Sequence, residues 1–179
     1  METQGVTIEN RVIMFMDVHN FSIAVNQLTE DLHRFLQELY QILGDIIVEH
    51  RGEIIKYLGD AILCAFPADT EIQAVQCALE LRLAFSEIIP KKALPPDTEL
   101  EIGIGSGEVA LGVFGHTSLR QKDIFGAQVN LVARIGHHQG IAITERVYET
   151  IKTNYATRRL ADLIVKWQDE PVKVWEVVT

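Results

Sequence analysis

The sequence predicts an α+β fold in which a mainly antiparallel sheet is covered by helices. Two features carry that reading. Short β-prone runs are joined by tight glycine turns, as in Leu58-Gly59-Asp60, and such turns connect antiparallel neighbours. Between them stand segments whose apolar residues recur every three or four positions, which places amphipathic helices over the sheet.

Val12-Ile13-Met14-Phe15-Met16 is an apolar run that ends in Asp17, and it predicts a strand over 11–17 buried on both faces with its polar group at the exit. From Leu28 the apolar residues fall at Leu32, Phe35, Leu36, Leu39, Ile42, Leu43, Ile46 and Ile47, which predicts one long helix closed by Gly52. Glu53 to Tyr57 and Ala61 to Phe66 read as a hairpin whose turn presents Asp60. Thr70 with Gln73 reads as a capping box opening a helix that carries Ile72, Val75, Leu79 and Leu83 and stops at Pro90. Lys91 to Thr98, with Pro95-Pro96, reads as a loop.

Leu100 to Ser106 and Val109 to Phe114 read as a second hairpin around Gly107, and a helix begins near Ala127. Ile141-Ala142-Ile143, a short helix over 145–151 and a last strand over 172–178 complete the order. Gly103-Ile104-Gly105-Ser106-Gly107 lies within a hairpin and is not followed directly by a helix, so it is not a dinucleotide-binding turn.

The 179 residues suffice for one substantial core, and no Pro-, Gly- or Ser-rich stretch divides them, so residues 1–179 read as a single domain. With 47% hydrophobic and 23% charged residues the chain has the balance of a folded globular protein. A net charge of -9 opposes non-specific binding to nucleic acid or to an anionic membrane surface, yet is compatible with a metal-neutralised triphosphate. No segment approaches the roughly 20 apolar residues of a membrane span, and no leader pattern precedes the first strand. Cys64 and Cys77 lie in apolar contexts and read as buried reduced thiols, so a cytoplasmic location is expected. The six histidines, His137-His138 among them, show no spacing with Asp or Cys that demands a metal and are read as solvated.

Chemistry-bearing residues gather at element ends. Asp17 and Asp60 are carboxylates suited to hard cations such as Mg2+. Asn130 and Arg134 stand four apart on one helix and therefore share a face.

These residues sit in three ordered segments. Phe15-Met16-Asp17-Val18-His19-Asn20-Phe21-Ser22 resembles Phe-x-Asp-Ile-x-Gly-Phe-Thr of the class III nucleotide cyclases. Lys56-Tyr57-Leu58-Gly59-Asp60 resembles the Lys-x-x-Gly-Asp of that family, and the run from Asp123 to Arg134 resembles its Asp-x-Trp-Gly-x-x-Val-Asn-x-x-x-Arg. Val109 to Gly115 is similar to the glycine-bearing hairpin ahead of the last motif. The likeness extends from about Val12 to Val177.

The resemblance implies a ferredoxin-like βαββαβ core with additional C-terminal strands and helices. It implies adenylate cyclase activity, with ATP converted to 3',5'-cyclic AMP and pyrophosphate. Asp17, Asp60 and the Val18 carbonyl would hold two Mg2+ or Mn2+ ions, which activate the ribose 3'-hydroxyl and hold the triphosphate. Asn130 would orient the ribose and Arg134 would stabilise the α-phosphoryl oxygens. Lys56 and Asp123 would read adenine, a donor facing N1 and an acceptor facing N6, whereas guanine reverses that pattern. Phe21 and Lys166 would contact the substrate, Lys166 at the triphosphate.

The family site lies between two catalytic domains, and this chain carries both sets of residues, so a homodimer with two composite sites is implied. Sensor or regulatory domains, in cis or in trans, accompany this domain in the family. Asn20 stands where the family has glycine; Phe125 and Ala127 replace its tryptophan and a frequent aspartate. A guanylate or relaxed-purine cyclase and a degenerate nucleotide-binding partner domain remain as alternatives. The Gly-Gly-Asp/Glu-Glu-Phe signature of diguanylate cyclases is missing.

Overall fold

The computed structural model describes residues 5–28, 31–88, 95 and 97–178, with the side chains of 24 and 26–28 left aside. Its elements are β1 (Thr7–Val18), α1 (Phe21–Leu28), α2 (Leu32–Glu49), β2 (Glu53–Leu58), β3 (Ala61–Phe66), α3 (Glu71–Ile88), β4 (Leu100–His116), β5 (Leu119–Phe125), α4 (Ala127–Ile135), β6 (Ile141–Thr144), α5 (Glu145–Ile151), β7 (Thr157–Arg159) and β8 (Val174–Val177). The eight strands form one sheet in the order β2-β3-β1-β4-β6-β8-β7, with β5 paired to β4. β4 and β6 run parallel and the other described pairings are antiparallel. The four-strand order β4-β1-β3-β2, with helices between β1 and β2 and between β3 and β4, is the expected ferredoxin-like core, and β5 to β8 are the C-terminal additions.

β1 is central, so both its faces are covered, as its unbroken apolar run requires. Val12, Met14 and Met16 pack with Phe35, Leu39, Leu43 and Leu81 beneath α2 and α3. Ile13 and Phe15 point the other way, toward Val132 of α4. Helices thus cover both faces, and the chemistry-bearing ends of β1 and of the β2–β3 turn emerge at one edge of this core. Cys64 and Cys77 are buried and free, and burial pushes the Cys77 thiol up to about 12.

Several elements depart from expectation. The long helix is two helices: α1 ends at Leu28 and α2 starts at Leu32. Leu28 and Leu32 are four apart, so the apolar period runs through the break in phase and conceals it. Gly52 does not supply the left-handed residue after α2; Arg51 does, at φ 63°. Gly52 is needed for space, since a Cβ there would lie 2.6 Å from Ile47 Cγ2 and 2.7 Å from Phe66 Cε1. The Thr70 hydroxyl donates to the Pro67 carbonyl at 2.7 Å, so it closes the preceding turn. The buried stripe of α3 runs through Ala74, Ala78, Leu81 and Phe85, while Leu83 is exposed. Pro90 and most of the loop over 91–98 lie outside the described residues.

The hairpin around Gly107 does not exist. β4 runs unbroken from Leu100 to His116, and the hairpin turn falls after it, before β5. The glycines of β4 answer to α4: a Cβ on Gly103 would lie 2.4 Å from the Val132 carbonyl oxygen, and one on Gly107 would lie 2.6 Å from Gln128 Cγ. They let the helix lie against the strand and mark no turn. β5 and β7 were not expected at all, and the last strand is shorter than predicted. Among the described residues, no helix is long and apolar enough to cross a membrane.

Candidate active site

β1 delivers Asp17 to the sheet edge, and the β1–β3 register, Met16 opposite Ile62, carries the Gly59-Asp60 turn alongside it. Gly59 takes φ 69°, the left-handed conformation that a two-residue hairpin turn demands, and the Tyr40 hydroxyl of α2 donates to its carbonyl. Asp17, Val18, His19, Asn20, Phe21 and Asp60 line a common cleft of about 370 Å³. The structure therefore brings the two expected metal ligands together.

Asp60 shows what that proximity costs. Burial, then the Asp17 charge, raises its carboxyl from 3.8 to about 6, against the opposing pull of the Asp60 and Val18 backbone N–H groups. Two carboxylates crowded in one cleft, with no lysine or arginine paired to either among the described residues, are the donor set a divalent cation neutralises, so these residues fit the expected metal. The linkage has a definite sign. In the metal-free protein the folded state holds the Asp60 proton more tightly than the unfolded chain, so stability is lost as pH rises from about 4 through about 6 and is level above. The half-open position screens the effect to about 1–2 kcal/mol. Urea unfolding at pH 4.5 and pH 8 should show that loss in the wild type and a smaller one in Asp60→Asn; equal losses would rule Asp60 out as the source.

Asn20 adopts φ 61°, so asparagine supplies the left-handed turn that glycine would otherwise make, and its Nδ2 donates to Asp97 Oδ2 at 2.8 Å. Phe21 lines the cleft and stacks on Phe35, with ring centroids 6.4 Å apart.

The remaining residues stand elsewhere. Lys56 Nζ donates to Asp123 Oδ2 at 2.7 Å, joining β2 to β5. Asp123 is only 7% exposed, and its Oδ1 accepts the Ile124 N–H at 2.8 Å. Asn130 and Arg134 are exposed on α4, and the Arg134 guanidinium lies 6.0 Å from the centre of the Trp167 ring. Lys166, exposed, immediately precedes that ring. None of these five lines the Asp17–Asp60 cleft. Within one chain the two carboxylates share a cleft, whereas the Lys56–Asp123 pair between β2 and β5 and the Asn130 and Arg134 side chains of α4 lie outside it.

Sequence reasoning missed two further members. Glu101 of β4 pairs with Asp17 in register, and His137, just past α4, sets Nδ1 3.1 Å from Asp17 Oδ2. His19 Nδ1 lies 2.8 Å from Glu101 Oε1. His137 is thus not simply solvated. Its proximity to Asp17 arises from the packing of α4 on β1, which spacing along the chain does not display.

This is the architecture of a nucleotide cyclase catalytic domain. The family profile of the adenylate and guanylate cyclase catalytic domain matches residues 4–177, and the chain belongs to that family. It is 27% identical to an adenylate cyclase of Anabaena cylindrica, over 99% of this chain and 38% of that protein. It is equally 27% identical to the terminal-differentiation-specific adenylate cyclase of Dictyostelium discoideum, over 93% of this chain and 8% of the relative. The chain therefore spans well under half of either relative's length. Among solved structures, a guanylyl cyclase, Cya2, superposes with a TM-score of 0.84 at 28% identity, covering 97% of this chain and 94% of that one. The adenylyl cyclase CyaB from P. aeruginosa has the same fold, with a TM-score of 0.89 at 22% identity, covering 98% and 96%.

Proposed function

We propose that residues 1–179 form one catalytic domain that converts ATP to 3',5'-cyclic AMP and pyrophosphate at two composite sites of a homodimer. The observation that carries ATP over GTP is the Lys56–Asp123 pair, a cationic donor and a carboxylate acceptor held 2.7 Å apart. That pair complements N1 and N6 of adenine, and guanine would meet a donor with a donor. The names of the relatives include both adenylate and guanylate cyclases, so the pair is the discriminating feature.

Two divalent cations, bound by Asp17, Asp60 and the Val18 carbonyl, would acidify the ribose 3'-hydroxyl and hold the triphosphate. Asn130 fixes the ribose so that the 3'-oxygen faces the α-phosphorus in line with the departing pyrophosphate. Arg134 presents its planar fork of donors to the α-phosphoryl oxygens as charge builds on them. Phe21 closes the apolar wall of the cleft, and Lys166 meets the triphosphate. The bond from O3' to the α-phosphorus forms as the 3'-hydroxyl proton passes to water, the bond from the α-phosphorus to the pyrophosphate oxygen breaks, and no protein nucleophile takes part.

The separation of the carboxylate cleft from Lys56, Asp123, Asn130 and Arg134 supports the dimer, since a two-fold axis can set one chain's cleft against those residues of the other chain. Lys56 and Asp60 would then serve opposite sites. Purified chain incubated with ATP or GTP and Mg2+ or Mn2+ should release cyclic AMP from ATP in clear preference to cyclic GMP from GTP. Binding of ATP with no cyclic product under either metal would instead make the chain a regulatory partner domain.

A further inference from the structure

The β1–β4 register sets Asp17 directly opposite Glu101, two carboxylates side by side on the face that α4 covers. Like charges opposite each other in a sheet are unfavourable unless something neutralises them. Glu101 is 4% exposed, and burial, with the Asp17 charge adding to it and His19 opposing, holds its carboxyl above the usual range. The chain then turns at Gly136, which packs so closely that a Cβ there would lie 2.8 Å from Phe15 Cδ1. That contact brings His137 over the two acids, with its ring edge-on to Phe15 at 5.8 Å between centroids. One donor atom from each of Asp17, Glu101 and His137 falls within 4.8 Å of the others.

We propose that Asp17, Glu101 and His137 form a mixed oxygen–nitrogen cation site that takes Zn2+, and less tightly Mn2+, in preference to Mg2+. Mg2+ requires a near-octahedral shell of oxygen and keeps several waters, whereas imidazole suits borderline metals, which bind such sites more strongly along the first transition row. Two carboxylates and a neutral imidazole offer three protein ligands and a compensating charge, and three protein ligands is the number an open zinc site keeps. His19, whose Nδ1 lies 2.8 Å from Glu101 Oε1, orients that carboxylate as an outer partner. The site shares Asp17 with the all-oxygen pair Asp17–Asp60, and Glu101 lines the same cleft, so the two overlap. The consequence for turnover rests on the cyclase reading: Zn2+ held here competes for Asp17 and inhibits the Mg2+-supported reaction.

The test is calorimetric titration of the nucleotide-free chain with ZnCl2, beside His137→Ala and His116→Ala, the latter removing an exposed histidine on the β4–β5 hairpin. His137 has a side chain 58% exposed, so its truncation leaves the core intact, which thermal unfolding verifies. The wild type and His116→Ala should take one Zn2+ per chain, retained against about a hundredfold excess of Mg2+, and His137→Ala should bind it roughly tenfold or more weakly. Equal Zn2+ affinity in wild type and His137→Ala, or no stoichiometric binding by the wild type, overturns the site. Loss of Zn2+ in His137→Ala from a chain that cyclises no nucleotide would uphold the site and remove the cyclase reading. An ATP-cyclising chain indifferent to His137→Ala would do the reverse.

Discussion

Asp17→Ala and Arg134→Ala should each be close to inactive as homodimers and should restore activity to each other as a heterodimer. Removing one charge-stabilising group from a site that works by placed charges costs on the order of 10²–10³-fold in turnover. The structure separates the two residues: Asp17 lines the cleft with Asp60, and Arg134 stands on α4 outside it. In a two-fold dimer of one variant with the other, one composite site loses both groups and its twin keeps both. Differently tagged variants, co-expressed and purified through both tags, should therefore show about half the wild-type rate per dimer. A heterodimer as inactive as its parents would mean that each site is built within one chain.

What the sequence made legible was mostly local. The apolar run ending at Asp17, the two-residue turn presenting Asp60, and the helix carrying Asn130 and Arg134 four apart all depend on neighbours in the chain, and all lie where periodicity and turn chemistry put them. Ile141 to Ile151 divides into β6 and α5 as expected for the same reason.

The misreadings arose where a residue answers to a distant partner. Gly107 reads as a turn residue until α4 is seen lying on it, for only then does Gln128 explain the missing side chain. β5 is a polar edge strand, Leu119-Arg120-Gln121-Lys122-Asp123, and owes its existence to pairing with β4 more than to any alternation of its own. Glu101 and His137 each look like ordinary surface residues in sequence. The strand register and the close packing of Gly136 on Phe15 make them neighbours of Asp17, and neither is visible from residue spacing. The positions of the carboxylates at the end of β1 and in the β2–β3 turn could be read from the chain, whereas the groups that surround them could not.

Substrate choice should follow the Lys56–Asp123 pair when both residues are exchanged together. Asp123 is buried and accepts two hydrogen bonds, from Lys56 and from the Ile124 N–H. Truncating Lys56 alone leaves a buried carboxylate short of its cation, and truncating Asp123 alone frees the ammonium; each single change therefore mixes damage with specificity. Lys56→Glu with Asp123→Ser removes both charges of the original pair and installs an acceptor for guanine N1–H and N2–H beside a small donor for O6. Sites that read a base by paired hydrogen bonds discriminate strongly, because the wrong base leaves polar groups unpaired. The ratio of kcat/KM for ATP to that for GTP should fall by about 100-fold or more in the double variant, with Mg2+-dependent cyclisation retained. A ratio within about threefold of wild type, in a folded and dimeric double variant, would reduce the pair to a strut between β2 and β5 and leave base choice to residues elsewhere in the composite site.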